Sequence, residues 1–362
     1  ETLRGSAGHR RVEVNAVGRE MRELDRQEGD PGSNLQLTLD RRLQAFTLAR
    51  LGEDSAAAVV MEVQTGNVLA LASAPSFDPN LFVRGISVAD YAGLRDNDHR
   101  PMSNKTVQGA YPPGSTFKMV TALAAFEAGL ASADERVYCP GYIEAAGRRF
   151  HCWNRGGHGR VNLTSALAES CDVYFYDLAQ RVGIDLINAM AERLGLGIRY
   201  DLPLSGISSG LNPSREWKRD RRGAEWVIGD TINASIGQGY VLTTPLQLAV
   251  MTARLANGGK KVSPRLVRSI TGEILEGAVL PHPEPELENL DLGISQKALK
   301  HVLNGMYKVV NGRRGSARAA KIRVEGWEMA GKTGTAQVRR ITRKERIEGV
   351  GNIRIRAGVT LL

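Results

Sequence analysis

Ser115-Thr116-Phe117-Lys118 follows a chain-breaking Tyr111-Pro112-Pro113-Gly114 and opens an apolar segment that runs to Gly129. Apolar residues recur at Phe117, Val120, Leu123 and Phe126, a helical period, and Gly129 stands where a C′ glycine ends a helix. The spacing therefore predicts a helix over 117–129. Residues three apart share a helix face, so the Lys118 amine is within reach of the Ser115 hydroxyl. A neighbouring amine that accepts the hydroxyl proton is one way to activate a serine, and a helix start favours the negative charge that then develops. The bland alternative is an N-cap serine beside a solvated lysine. This is the only Ser-x-x-Lys in the chain.

At 362 residues, with 42% hydrophobic side chains, the chain can hold one large domain or two ordinary ones. Abundant glycine (40 residues) with 6% aromatics suits a loop-rich enzyme better than a fibrous or disordered chain. The net charge of +9 gathers locally at Lys218, Arg219, Arg221 and Arg222 and again over 339–346. Such a balance tolerates anionic partners. No aromatic-interleaved basic motif is present, so nucleic acid is not the expected partner. There is no run of 18 apolar residues, hence no expected membrane span within the chain.

Residues 1–34 are polar, charged and end in Gly29-Asp30-Pro31-Gly32, which reads as the edge of another region plus a linker. Ala56–Val63 and Asn67–Ala72 flank Gln64-Thr65-Gly66 as a hairpin. Leu163–Leu194 reads as two helices broken near Gly183, 203–216 as a Pro/Gly/Ser loop, and Pro245–Asn257 and Gly293–Val310 as further helices. Glu325–Val338 reads as a strand containing Gly331 and Gly334. Strands early and late with helices between them imply an α+β domain whose terminal strands share one sheet.

The late strand holds Lys332-Thr333-Gly334-Thr335, which occurs once. Glycine inside a strand marks a close backbone approach, the lysine can hold a carboxylate, and an exposed edge can pair with an extended peptide. Its bland alternative is an edge strand with a solubilising lysine. Ser-x-Asp occurs at Ser76–Asp78, Ser132–Asp134 and Ser170-Cys171-Asp172. The first two sit in turn or cap contexts. Only the third lies inside a helical stretch, where a serine and a short polar residue can relay protons and bind an amide.

Ser-x-x-Lys, Ser-x-Asp and Lys-Thr-Gly in that order form the signature of penicillin-recognising serine acyltransferases. The chain resembles the transpeptidase domain of class B penicillin-binding proteins, nearest their elongation-type (penicillin-binding protein 2) subgroup. The likeness also takes in Gly109–Ser115, His151-Cys152-Trp153 through Gly156–Gly159, Asn233–Tyr240 and Lys332–Gln337, and it spans about residues 10 to 345. It implies an α+β transpeptidase fold with a helical subdomain packed on an antiparallel sheet. Residues 1–34 would be the end of an N-terminal pedestal and linker, 35–345 the transpeptidase domain, and 346–362 a divergent tail too short for the strands expected after Lys-Thr-Gly. Ser115 would be the acyl-ester nucleophile and Lys118 its base. Ser170 and Asp172 would line the cleft, Ser170 passing a proton to the leaving amine. Lys332, Thr333, Gly334 and Thr335 would bind the substrate carboxylate and border an oxyanion site made by the backbone N–H of Ser115 and Thr335. One such donor is typically worth about 2.7–4 kcal/mol.

The same resemblance implies D-Ala-D-Ala stem peptides of peptidoglycan as substrate, β-lactams as acylating inhibitors, and membrane proteins of the elongation machinery, including a glycosyltransferase, as partners. It places the enzyme on the periplasmic face of the inner membrane, held by an N-terminal helix outside this chain. The rival readings are a D,D-carboxypeptidase or β-lactamase-like hydrolase, and a non-catalytic, zinc-stabilised scaffold. Gly206-Ile207-Ser208-Ser209-Gly210 also matches a nucleophile elbow, but Pro203 and Pro213 flank it as a loop where that motif needs a strand and a helix.

The chain has three cysteines, Cys139, Cys152 and Cys171, and His158 falls between the last two. Three thiols and an imidazole complete a tetrahedral set for a structural zinc, with His151 as an alternative histidine. Some elongation-type relatives carry a zinc site in this region built partly from carboxylates, which cysteines would replace here. The competing reading is a Cys139–Cys152 disulfide with Cys171 buried and free. No cofactor is needed for the acyl-transfer chemistry itself.

Overall fold

The computed structural model describes residues 3–271, 290–337 and 354–361. The basic cluster at 339–346 and the 345/346 boundary lie outside them. The expected hairpin is present as Ala56–Met61 paired antiparallel with Val68–Ala74, in a register set by Ala56↔Ala74 and Val59↔Leu71. Its second strand alternates buried and half-buried residues, with Val68, Ala70 and Ala72 facing the interior, the two-residue period of a strand with one face on the core. The presumed linker is more ordered than its polarity suggested. His9–Val14 and Glu20–Gln27 form an exposed antiparallel ribbon, and Asn34–Leu37 pairs with Val267–Thr271 from the far side of the sequence.

Lys118–Glu127 forms the central helix, preceded by a tight 3₁₀ turn over Gly114–Phe117. Gly129 takes the left-handed conformation expected of a C′ glycine. Eight of its residues, from Lys118 to Ala125, are buried, as befits a helix that is mostly apolar all round. Around it pack Leu163, Leu167, Tyr174, Phe175, Ile187 and Met190, with Leu299, Val302 and Met306 of the helix Gln296–Asn311. A smaller core beneath the hairpin joins Val68, Val107, Leu246 and Val250. Pro245–Ala256 starts with Thr244 and Gln247 in a reciprocal capping box and a proline in its first turn.

Three expectations need correction. The 163–194 stretch is three helices, Leu163–Ala168, Asp172–Val182 and Ile184–Arg193, because the chain breaks at Ser170 (φ 56°) as well as at Gly183. The late strand covers Ala330–Gln337 rather than starting at Glu325, and it pairs along its full length with Arg354–Leu361, so the supposed tail carries a strand. Among the described residues, the N-terminal hairpin and this C-terminal ribbon are separate two-stranded ladders rather than one hydrogen-bonded sheet. No helix among the described residues is long and apolar enough to cross a membrane.

Candidate active site

The turn carrying Ser115 is wedged between two backbones. A Cβ built on Gly114 (φ 57°) would lie 2.9 Å from the carbonyl oxygen of Thr335, and one on Gly237 (φ 67°) 2.3 Å from the carbonyl oxygen of Gly114. No side chain fits at either place. Gly114 N–H donates to Gly237 O at 3.0 Å, and Thr121 Oγ1 donates to Ser235 O at 2.8 Å, so the Ser235–Gly239 loop braces the turn from behind. Gln238 Nε2 reaches Thr335 O at 3.4 Å. The stretch Asn233–Tyr240 shares in the resemblance, but its sequence alone assigns it no role. The signal was its two glycines flanking a polar residue.

Lys118 is fully buried and its Nζ donates three hydrogen bonds: to Ser170 O at 2.8 Å, Ser170 Oγ at 3.2 Å and Asp172 Oδ1 at 2.7 Å. The ammonium also lies 5.3 Å from the centroid of the Phe175 ring. None of its three bonds goes to Ser115, although helical spacing had suggested that contact. Burial beside a carboxylate wins over the short reach to a neighbouring hydroxyl, because an ion in a dry site needs every donor satisfied.

Lys332 arrives from the opposite wall. Its Nζ, 2% exposed as a residue, donates to Ser170 Oγ at 2.9 Å and Thr333 O at 2.8 Å. Burial drives its pKa well below the ordinary lysine range, the Lys118 charge pushes the same way, and Asp172 opposes both. Two amines therefore converge on one hydroxyl, with one carboxylate between them. Since Ser170 Oγ accepts from both, its own proton is free to point into the cleft.

Asp172 starts its helix and is fixed at both ends by one loop. Its Oδ2 accepts from Trp153 N–H at 2.8 Å and its own N–H donates to Cys152 Sγ at 3.4 Å. Sequence reading missed this use of the Trp153 backbone, which leaves no mark on side-chain patterns. Ser170 sits in the left-handed region that non-glycine residues avoid, a strained conformation of the kind that collects at functional sites. Of the other Ser-x-Asp copies, Asp78 caps the short turn Pro79–Phe82, as turn chemistry predicts. Ser208 lies in coil, its Oγ accepting from Gly210 N–H, so the elbow motif is excluded.

Cys139, Cys152, Cys171 and His158 come together with their ligand atoms all within 4.8 Å of one another. All three thiols are free and buried, which replaces the disulfide alternative. His158 turns Nδ1 toward the thiols, 3.7 Å from Cys139 Sγ and 3.5 Å from Cys152 Sγ. His151 is exposed beside Tyr142 and takes no part. Within the cluster the Cys171–Cys152 hydrogen bond holds the Cys152 thiol low and pushes Cys171 up. A tetrahedral zinc with bonds of about 2.0–2.3 Å has ligand–ligand edges of about 3.5–3.8 Å. The donor set and its spacing fit that ion after a small contraction. In the basic cluster, Lys218 is buried and paired with Asp230 at 2.6 Å, a structural role rather than a docking one.

Residues 56–349 match the family model described as the penicillin binding protein transpeptidase domain. The chain is 39% identical over 348 residues to the peptidoglycan D,D-transpeptidase MrdA of Acinetobacter baumannii, covering 96% of this chain and 51% of that protein. Against MrdA of Escherichia coli K12 the identity is 38%, covering 93% of this chain and 53% of the other. It thus spans about half the length of the curated relatives it matches. Among solved structures, PBP2 of Pseudomonas aeruginosa in complex with WCK 5153 aligns with TM-score 0.78 and 43% identity, over 86% of this chain and 69% of that one. PBP2 of Helicobacter pylori, solved in complex with MreC, aligns with TM-score 0.78 and 32% identity, over 93% and 60%. With the three motifs gathered on Ser170 and relatives of this similarity, the chain belongs to the penicillin-binding protein transpeptidase family.

Proposed function

We propose that this chain is the acyl-transferring part of a peptidoglycan D,D-transpeptidase of the elongation type. The observation that carries the reading is the convergence of Lys118 and Lys332 on Ser170, with Asp172 paired to Lys118, beside the Ser115 turn. In the proposed cycle Lys118, held 2.7 Å from Asp172, acts in its neutral form as the base that takes the Ser115 proton as Oγ attacks the carbonyl of the penultimate D-Ala. The oxyanion would face the backbone N–H of Ser115 and Thr335, whose segments the Gly114 contact holds together. Ser170 Oγ–H gives its proton to the departing terminal D-Ala amine and is resupplied from a lysine. An amine of a second stem peptide then attacks the ester and gives its proton to Lys118, and the ester C–O bond breaks as Lys118 returns that proton to Ser115 Oγ. Lys332, Thr333 and Thr335 would hold the donor's terminal carboxylate, with Gly334 leaving room for its backbone. β-Lactams would acylate the same serine.

Cys139, Cys152, His158 and Cys171 would hold a zinc. When bound, the ion supplies no catalytic step and would fix the loop that grips Asp172. The resemblance further supports a transpeptidase domain over about 35–345, a pedestal before it, periplasmic membrane anchoring outside this chain, and membrane partners including a glycosyltransferase. The test of the reading is product analysis with a D-Ala-D-Ala stem peptide and an amine acceptor. Amide-linked product with one D-Ala released supports transpeptidation. Free tetrapeptide alone indicates a carboxypeptidase.

A further inference from the structure

The loop after the long helix Gln296–Asn311 touches both motif segments. Ser316 N–H donates to Ala168 O at 3.0 Å, two residues before Ser170, and Ser316 Oγ lies 3.2 Å from Thr333 Oγ1 of the Lys-Thr-Gly segment. The loop itself is firmly folded. Ala317 N–H returns to Val309 O and Gly315 N–H to Gly312 O, both at 3.0 Å, while Arg314 faces Glu169 at 3.8 Å.

Thr333 has one hydroxyl proton. If Ser316 accepts it, none is left for a ligand. If Ser316 donates instead, the Thr333 proton is released toward the cleft, and donation into Thr333 Oγ1 strengthens that outgoing bond. An incoming carboxylate selects the second arrangement, since it can only accept. We propose that Ser316 is a positioning residue for carboxylate recognition, setting the direction of the Thr333 hydroxyl. This rests on the acyl-transfer reading above and adds a residue to it. Nothing in the Ser-x-x-Lys, Ser-x-Asp or Lys-Thr-Gly motifs points to it.

The test compares acylation of Ser115 by an acyl-D-alanyl-thioglycolate with that by its neutral glycolamide counterpart, followed by intact mass. Ser316→Ala should slow the carboxylate-bearing thioester by about three- to tenfold, the usual worth of one hydrogen bond. The neutral compound should stay within about twofold, and Ser316→Thr should restore the wild-type ratio. Thr333→Ala should slow the carboxylate-bearing thioester by at least as much, and adding Ser316→Ala to it should bring no further loss. Equal loss on both compounds, no loss, or additive losses would overturn the assignment. If the Ser316→Ala chain does not fold, the Ser316→Thr ratio still decides it: a ratio altered from wild type overturns it. A wild-type chain that forms no acyl-enzyme with either compound refutes the acyl-transfer reading instead, and this one with it.

Discussion

Lys332 Nζ sits 2.9 Å from Ser170 Oγ although the two residues are 162 positions apart in sequence. That contact closes the site, because Ser170 already accepts from Lys118. It also makes the site expensive to fold, since both amines are buried and share a single carboxylate.

Replacing Lys332 with Met should therefore stabilise the chain while abolishing acylation. Relief of the desolvated amine is worth about 1–2 kcal/mol at neutral pH. The sign against pH is fixed by linkage. Between the lowered folded pKa of Lys332 and its unfolded value, the unfolded chain binds more protons, so wild-type stability rises with pH there. The advantage of the Met variant should shrink as pH climbs toward about 10. Thermal melts of both proteins from pH 7 to 10 check this. An advantage that grows over that range counts against it.

The same shift bears on activity. On the proposed reading carboxylate capture needs Lys332 protonated, so the rate of acylation by a penicillin should decline on the alkaline side well below pH 10.5, the ordinary lysine value. A rate flat to that pH would mean Lys332 keeps an ordinary pKa.

Ser170 can be dissected by two substitutions. Ser170→Ala and Ser170→Gly both remove the shared hydroxyl and should each slow acylation by roughly 10²-fold. Only glycine accommodates φ 56° without strain, so the Gly variant should be about 1 kcal/mol more stable than the Ala variant. Denaturant titration measures the difference, and equal stabilities would argue that the backbone there is unstrained.

Gly237 is a structural counterpart. Adding a methyl group 2.3 Å from Gly114 O in a left-handed backbone leaves no room to relax. Gly237→Ala should cost about 3 kcal/mol or more and lower penicillin acylation by displacing the Ser115 turn. A variant with wild-type melting temperature would show that the loop does not brace the turn.

The thiol cluster yields a separate expectation. Purified chain should carry one zinc per molecule with three free thiols, and chelation should lower its melting temperature. Zinc content, thiol titration and calorimetry report this without any activity assay. A zinc-free protein with an intact Cys139–Cys152 disulfide would contradict it.

The legibility of this site in sequence followed how local each signal was. The Ser115–Lys118 helix, its C′ glycine and the hairpin were readable because periodicity and turn residues act over a few positions. Lys-Thr-Gly and Ser-x-Asp became meaningful only as an ordered set, and choosing Ser170 over Ser76 and Ser132 required the helix context. The break at Ser170 was not legible, since a serine in a left-handed conformation has no propensity signature. Nor was the pairing of Ala330–Gln337 with Arg354–Leu361, a register decided by tertiary contact. Lys118 was aimed at Ser115 by spacing alone, and burial against Asp172 redirected it.

The central claim is that Ser115 is the acylated nucleophile of a penicillin-reactive site. Incubation of the folded chain with a fluorescent penicillin, followed by peptide mapping of the adduct, tests it most directly. One label per chain on Ser115, absent in Ser115→Ala and lost on prior treatment with unlabelled penicillin, is the expected result. A folded, zinc-loaded chain that takes up no label, or takes it on another residue, would contradict it.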